Sequence, residues 1–246
     1  MSHRPPSQRG IPPRDAPDPL AQTTARFAQV FYDGAMMLQG SLLDQVDEVG
    51  LRPLAGGVRR TPLDHGAWID LRPGWVTGSD ALFSRLALGG PAGVEWHGEE
   101  RQMWDKQVTT PRLLRFYRER ETLPDPVLER ARLDLSRWYA GELGEPFVTA
   151  GMCLYRDGRD SVAWHGDRVG RSKEHDTMVA IVSLGAPRSL MLRPRGGGAS
   201  IRHVLGHGDL LVMGGSCQRT WDHCVPKTTS PVGQRISIQF RPRGVR

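Results

Sequence analysis

The sequence predicts an α+β, mainly β fold: an antiparallel jelly roll with a helical portion on its N-terminal side. Three observations predict it. After residue 146 the chain breaks into short runs rich in β-branched and aromatic residues, among them MCLYRDG, TMVAIVSLG, DLLVMGG and RISIQFRPR, with Gly, Pro and Asp between them. No stretch in that region keeps a helical period for ten residues, so βαβ units are not expected. The clearest helical pattern lies upstream, in residues 123–143.

In chain order, residues 1–22 are rich in Pro, Arg, Asp and Gln, have little to bury, and are expected to be a disordered tail. Residues 27–32, FAQVFY, read as a short strand. Ser41 is an N-cap candidate for a helix over 41–49. Residues 56–93 are crowded with Gly and Pro and read as loops with short elements. In 123–143, Asp125 suits an N-cap and Pro126 the first turn. Val127, Leu128, Ala131, Leu135 and Trp138 then fall on one face. The expected organisation is one catalytic domain over 23–246, with helical support and a lid in 23–145 and the jelly-roll core in 146–246.

The chain has 246 residues and a formal charge of +6. A basic balance favours polyanionic partners such as nucleic acid, although any Arg-rich proteome gives the same excess. No run of apolar residues is long enough to predict a membrane span, and the N-terminal residues do not read as a secretory signal. Cys153, Cys217 and Cys224 are odd in number and lack paired spacing, which suggests a reducing, cytoplasmic setting without disulfides.

The chemistry concentrates in two places. Trp164-His-Gly-Asp167 sits at the end of an expected strand, where His165 and Asp167, two apart, project to one side and can reach one cation. His223, far downstream, is the candidate third ligand. Two imidazoles and a carboxylate on one face make the facial triad of non-haem Fe(II) oxygenases. Alone, His-x-Asp is more often a solvated surface pair than a metal site. His203 with His207, or His223 with Cys217 and Cys224, are weaker zinc alternatives. Further on, alternation over residues 235–241 puts Arg235, Ser237, Gln239 and Arg241 on one face and Ile236, Ile238 and Phe240 on the other. Arginine holds a carboxylate bidentately, so this face suits a dicarboxylic keto acid, though it also reads as a basic exterior.

Together, His-x-Asp, a distant His and Arg-x5-Arg resemble the signature of the AlkB family. The segments CLYRDGRDSVAWHGD, AIVSLGAPR, HGDLLVM, WDHCVPK and PRLLRFY resemble its flanking strands, and the resemblance covers residues 95–243. It implies a double-stranded β-helix, with Fe(II) held by His165, Asp167 and His223 as the catalytic centre, and 2-oxoglutarate and O2 as co-substrates. Arg235 would pair with the distal carboxylate, Arg241 would lie near the metal-bound end, and Tyr155 would donate its hydroxyl. The implied reaction is oxidative dealkylation of bases in DNA or RNA, with single-stranded DNA favoured over RNA, by a monomer. The alternatives are a 2-oxoglutarate-dependent hydroxylase of a protein or small molecule, or a nucleic-acid-binding pseudoenzyme. Trp104, Arg112, Phe116 and Tyr117 are the expected substrate contacts of the lid. Three positions depart from the pattern. Cys153 replaces an Asn amide donor by a weakly donating thiol, a change worth about 1 kcal/mol. Ser237 stands where Asn is frequent, and Val169 where an acidic residue reads the damaged base.

Overall fold

The computed structural model describes residues 48–87, 93–103 and 106–245. The expected tail over 1–22, the strand at 27–32, most of the helix at 41–49 and Trp104 lie outside them. The elements are β1 (Gly50–Leu51), β2 (Arg59–Pro62), β3 (Ala67–Arg72), β4 (Val76–Thr77), α1 (Ser79–Ala87), β5 (His97–Met103), β6 (Lys106–Tyr117), α2 (Pro126–Trp138) and α3 (Ala140–Leu143). They continue with β7 (Thr149–Tyr155), β8 (Val162–His165), β9 (Val179–Gly185), β10 (Arg188–Pro194), β11 (Ile201–Leu205), β12 (Asp209–Gly215), α4 (Cys217–Thr220), β13 (Trp221–Val225) and β14 (Arg235–Arg241).

An eight-stranded sheet runs β2-β3-β12-β9-β14-β7-β6-β5, and a four-stranded sheet runs β11-β10-β13-β8. All pairings are antiparallel. From β7 onward the chain passes back and forth between the sheets: β7, β9, β12 and β14 join the larger, and β8, β10, β11 and β13 the smaller. This is the expected jelly roll, with pairing between strands distant in sequence.

Two apolar layers hold it. Leu82 and Leu86 of α1 and Leu128 and Leu135 of α2 pack on one face of the large sheet, against Ile236, Ile238 and Phe240. Val179, Ile181, Leu192, Leu211 and Trp221 fill the space between the sheets. Strand β9 contributes to both layers and is buried along its whole length, which is why VAIVSLG is almost continuously apolar. The outward half of β14 is apolar and its inward half polar, so the face carrying Arg235 and Arg241 looks into the space between the sheets.

Two expectations need correction. Among the described residues, the portion before residue 146 holds more strand than helix, because β2, β3, β5 and β6 extend the two ends of the large sheet. PRLLRFY is the second half of β6; a Pro and two Arg mask its period, and its pairing with β7 decides its conformation. The helix expected over 123–143 spans Pro126–Trp138, with the Asp125 side chain accepting from the Val127 amide at 3.0 Å. It stops at Tyr139, and a separate turn, α3, follows. Trp138, expected on the buried face, is 45% exposed, and Tyr139 is buried instead. The Tyr139 hydroxyl donates to the buried Asp70 carboxylate at 2.9 Å, which Arg60 also holds. Satisfying that carboxylate outweighs the helical phase. No helix among the described residues is long and apolar enough to cross a membrane.

Candidate metal centre

Strand β8 ends at His165, and β13 lays His223 directly opposite it in the register. The two rings stand 4.3 Å apart between centroids. Asp167 lies past the end of the strand and does not follow the simple alternation expected of it. Gly166 turns the chain where a Cβ would meet the Gln218 carbonyl oxygen at 2.6 Å, so only glycine permits this approach. The Asp167 amide then donates to Gln218 Oε1 at 2.9 Å, which ties the residue to α4. One ligand atom from each of His165, Asp167 and His223 lies within 4.8 Å of the others. Among the described residues no other His, Cys, Asp or Glu group does this, so neither zinc alternative is assembled.

The protonation of these side chains suits a divalent cation. His165 Nδ1 lies 2.9 Å from the Ala163 carbonyl and 3.1 Å from that of His223. Carbonyls only accept, so Nδ1 carries a hydrogen and Nε2 is the ring atom turned toward Asp167. Burial is the main force pushing the His223 pKa down, to about 3, with the neighbouring His165 adding to it, so the ring is neutral near pH 7. Burial tends to raise the Asp167 pKa, but Arg241, His223 and His165 outweigh it and hold the value at about 2. Arg241 Nε donates to Asp167 Oδ2 at 2.7 Å, and Oδ1 faces His165 Nε2 at 3.6 Å. One carboxylate oxygen is thus fixed by the protein while the other faces the histidine. Replacing Arg241 by Met should weaken metal affinity about 10–100-fold, the usual cost of losing a ligand's hydrogen-bonding partner. Titration of Mn(II) into the protein measures it, and unchanged affinity would show that Arg241 does not orient Asp167.

Beyond the triad, the inner face of the large sheet carries Tyr155, Arg235, Ser237 and Cys153, with Arg235 opposite Tyr155 and Ser237 opposite Cys153. Arg235 is only 1% exposed, and among the described residues no carboxylate pairs with it. Its Nε donates to Ser183 Oγ at 2.9 Å, its guanidinium stands 5.2 Å from the centre of the Tyr155 ring, and its Nη1 has no partner. A buried cation with an unused donor is costly unless an anion meets it. Burial and the neighbouring Cys153 push the Tyr155 pKa up to about 12 against the pull of Arg235, Arg112 and Arg188, so its hydroxyl keeps its proton. These groups fit the far carboxylate of a diacid, and the triad fits its metal.

Of the expected lid residues, Arg112 and Phe116 fall on the inner face of β6: Phe116 lies opposite Gly151 and Leu114 opposite Cys153. Arg112 donates from Nη1 to the Ser161 carbonyl at 3.0 Å. Tyr117 is a correction. It lies one step out of phase, is 5% exposed, and belongs to the layer beneath the helices, so it cannot stack on a base. Sequence reasoning also missed Ser183, Gln218 and Arg188. Arg188 is buried and donates to the carbonyls of Asp157, Asp160 and Pro226, binding the β7–β8 and β13–β14 loops together. Ser183 alone had left a signal, as the one polar residue in the apolar run of β9.

The comparisons agree with this geometry. Residues 84–241 match the 2OG-Fe(II) oxygenase superfamily. The chain is similar to the alpha-ketoglutarate-dependent dioxygenase alkB homolog 3 of Homo sapiens, 32% identical over 223 residues that cover 81% of this chain and 72% of that protein. Its counterpart in Bos taurus is 30% identical over the same length and shares. The DNA oxidative demethylase ALKBH2 of Homo sapiens is 32% identical over 124 residues, 47% of this chain and 46% of that protein. The solved structure of OsALKBH1 superposes with a TM-score of 0.50 at 15% identity, over 75% of this chain and 100% of that one, which supports the fold alone. Family membership brings with it Fe(II), 2-oxoglutarate and O2, which the triad and the buried arginine fit. The chain belongs to the AlkB family of the 2OG-Fe(II) oxygenase superfamily and is an AlkB-like Fe(II)- and 2-oxoglutarate-dependent dioxygenase.

Proposed function

We propose that the protein oxidatively removes alkyl groups from nitrogen atoms of nucleic-acid bases, with single-stranded DNA as the preferred strand. The observation that carries the catalytic part is the buried Arg235 Nη1 without a partner, on the same sheet face as the arginine that holds Asp167. The substrate part is supported by similarity to a protein named as a DNA oxidative demethylase, by the +6 charge, and by Arg112 and Phe116 on the inner face of β6.

The chain's own residues have defined tasks in this reading. His165 and His223 would offer ring nitrogens and Asp167 a carboxylate oxygen to Fe(II). Arg241 and the Gln218 side chain keep Asp167 in place. Arg235 and the protonated Tyr155 hydroxyl take the distal carboxylate of the keto acid, and burial strengthens that interaction. The apolar layer between the sheets limits water on the side of the centre where His223 and Asp167 are buried. Held by these residues, Fe(II) with the keto acid would supply the dioxygen chemistry that oxidises a C–H bond, with succinate and CO2 as co-products. Hydroxylation of an N-methyl carbon gives an N-hydroxymethyl base, which collapses to formaldehyde and the unmodified base. A stacked base is out of reach, so the target nucleotide must be extruded or already unpaired.

The test is succinate and formaldehyde release with Fe(II), 2-oxoglutarate and either an N-methylated or an unmodified single-stranded oligonucleotide. The methylated strand is expected to stimulate turnover with equal yields of both products. Turnover indifferent to the oligonucleotide would move the substrate to a protein or small molecule.

A further inference from the structure

The inner face of β14 holds two arginines with different tasks, and between them alternation leaves only Ser237 and Gln239. Gln239 is 8% exposed, and its amide is drawn into a local network. Its Nε2 donates to Ser237 Oγ at 2.6 Å and to the Ser237 carbonyl at 3.0 Å, so both amide hydrogens are committed. Ser237 Oγ is thereby an acceptor, and its own hydrogen is free to be donated elsewhere. The Gln239 amide also lies 3.8 Å from Cys153 Sγ, on the strand opposite.

A gap in β7 makes this arrangement possible. Gly151 faces Gln239 in the register, and a Cβ there would lie 3.1 Å from Gln239 Oε1 and 2.8 Å from Arg241 Nη1. The missing side chain gives Gln239 and Arg241 the room they occupy. Opposite Ser237, Cys153 offers only a thiol, a weak donor. On the wall between the two arginines, the neutral donor that β14 supplies is therefore the Ser237 hydroxyl, beside Ser183 on the neighbouring strand β9. An anionic keto acid lying along this wall needs such donors, because a buried carboxylate oxygen without one is costly.

We infer that Gln239 is a positioning residue for the keto acid. Its amide fixes Ser237 Oγ as an acceptor and so turns the Ser237 hydroxyl outward as a donor, in place of a donor on β7 at Cys153. This rests on the keto-acid site of the proposed function. It has a specific consequence: because Cys153 touches the Gln239 amide and lies opposite Ser237, an amide on either strand reaches the same space. Cys153→Asn should be nearly neutral in the wild-type background and beneficial once Gln239 is removed.

The test is calorimetric binding of 2-oxoglutarate to the Mn(II)-loaded protein without oxygen, which needs no turnover. Gln239→Ala should weaken binding roughly tenfold, the equivalent of one hydrogen bond to a charged group, while leaving Mn(II) affinity unchanged. The double variant Cys153→Asn/Gln239→Ala should regain most of that loss, which a merely structural role for Gln239 would not allow. Gln239→Met keeps the volume and serves if the alanine variant folds poorly; it should lose affinity equally. As a second readout, the keto acid should slow alkylation of the half-exposed Cys153, the other two cysteines being buried. Affinity within about twofold of wild type in both Gln239 variants, or a loss that Cys153→Asn does not repair, overturns the inference. Wild-type protein that binds no keto acid would instead overturn the site on which it rests.

Discussion

His165→Ala is expected to eliminate iron-dependent turnover while the protein stays folded. The His165 side chain is 40% exposed, so its removal leaves no buried orphan group behind. The metal loses one of three protein ligands, and the damage should exceed the roughly 10–100-fold that follows loss of an outer hydrogen-bonding partner. Asp167→Asn should act in the same direction. Asparagine keeps the shape and can still accept from Arg241, but it removes the negative charge that the ion requires. Asp167→Ala would be a poorer probe, because it strips Arg241 of its buried partner and adds a stability loss of about 3–5 kcal/mol. Succinate production, Mn(II) affinity and the melting temperature separate these effects. Turnover like that of wild type in either variant would remove that residue from the ligand set.

The second large effect is expected at Arg235. Arg235→Ala should raise the KM for 2-oxoglutarate by about 10–100-fold, as a hydrogen-bonded interaction with a charged group is worth 1.5–3 kcal/mol. At saturating keto acid much of kcat should return, because Arg235 contacts none of the metal ligands. Arg235→Lys should fall between the two, since an ammonium cannot reproduce the planar fork and would not reach Ser183 in the same way. The direction of the stability change is also informative. Arg235 is a desolvated cation whose Nη1 has no partner among the described residues, so removing it relieves a cost as well as leaving a cavity. An unchanged KM would show that the distal carboxylate binds elsewhere.

Much of the site was legible because its residues are chemically marked. His-x-Asp, a lone downstream His and two arginines six apart on the polar side of an alternating strand are unusual enough to stand out, and the alternation in β14 placed Arg235, Ser237, Gln239 and Arg241 on one face. The lid was less legible. Arg112, Phe116 and Tyr117 were grouped by composition, but β6 is a strand, and its period of two sends Tyr117 into the apolar layer while its neighbour Phe116 takes the inner face. Trp138 failed for a related reason. The helical period holds only while the helix continues, and this helix ends where Tyr139 meets Asp70.

By itself the sequence determined what each segment can bury and which chemistry it carries: a short-stranded, two-layered β fold, a basic chain, and a set of nitrogen and oxygen donors suited to iron and a diacid. Only the tertiary structure decided which of those donors meet. It set His223 opposite His165, turned Asp167 back at Gly166 onto Gln218 and Arg241, and opened room at Gly151 for Gln239. The reason is that register between strands distant along the chain follows from burying both sheet faces at once. No local preference encodes that requirement, because it exists only when the two sheets pack together.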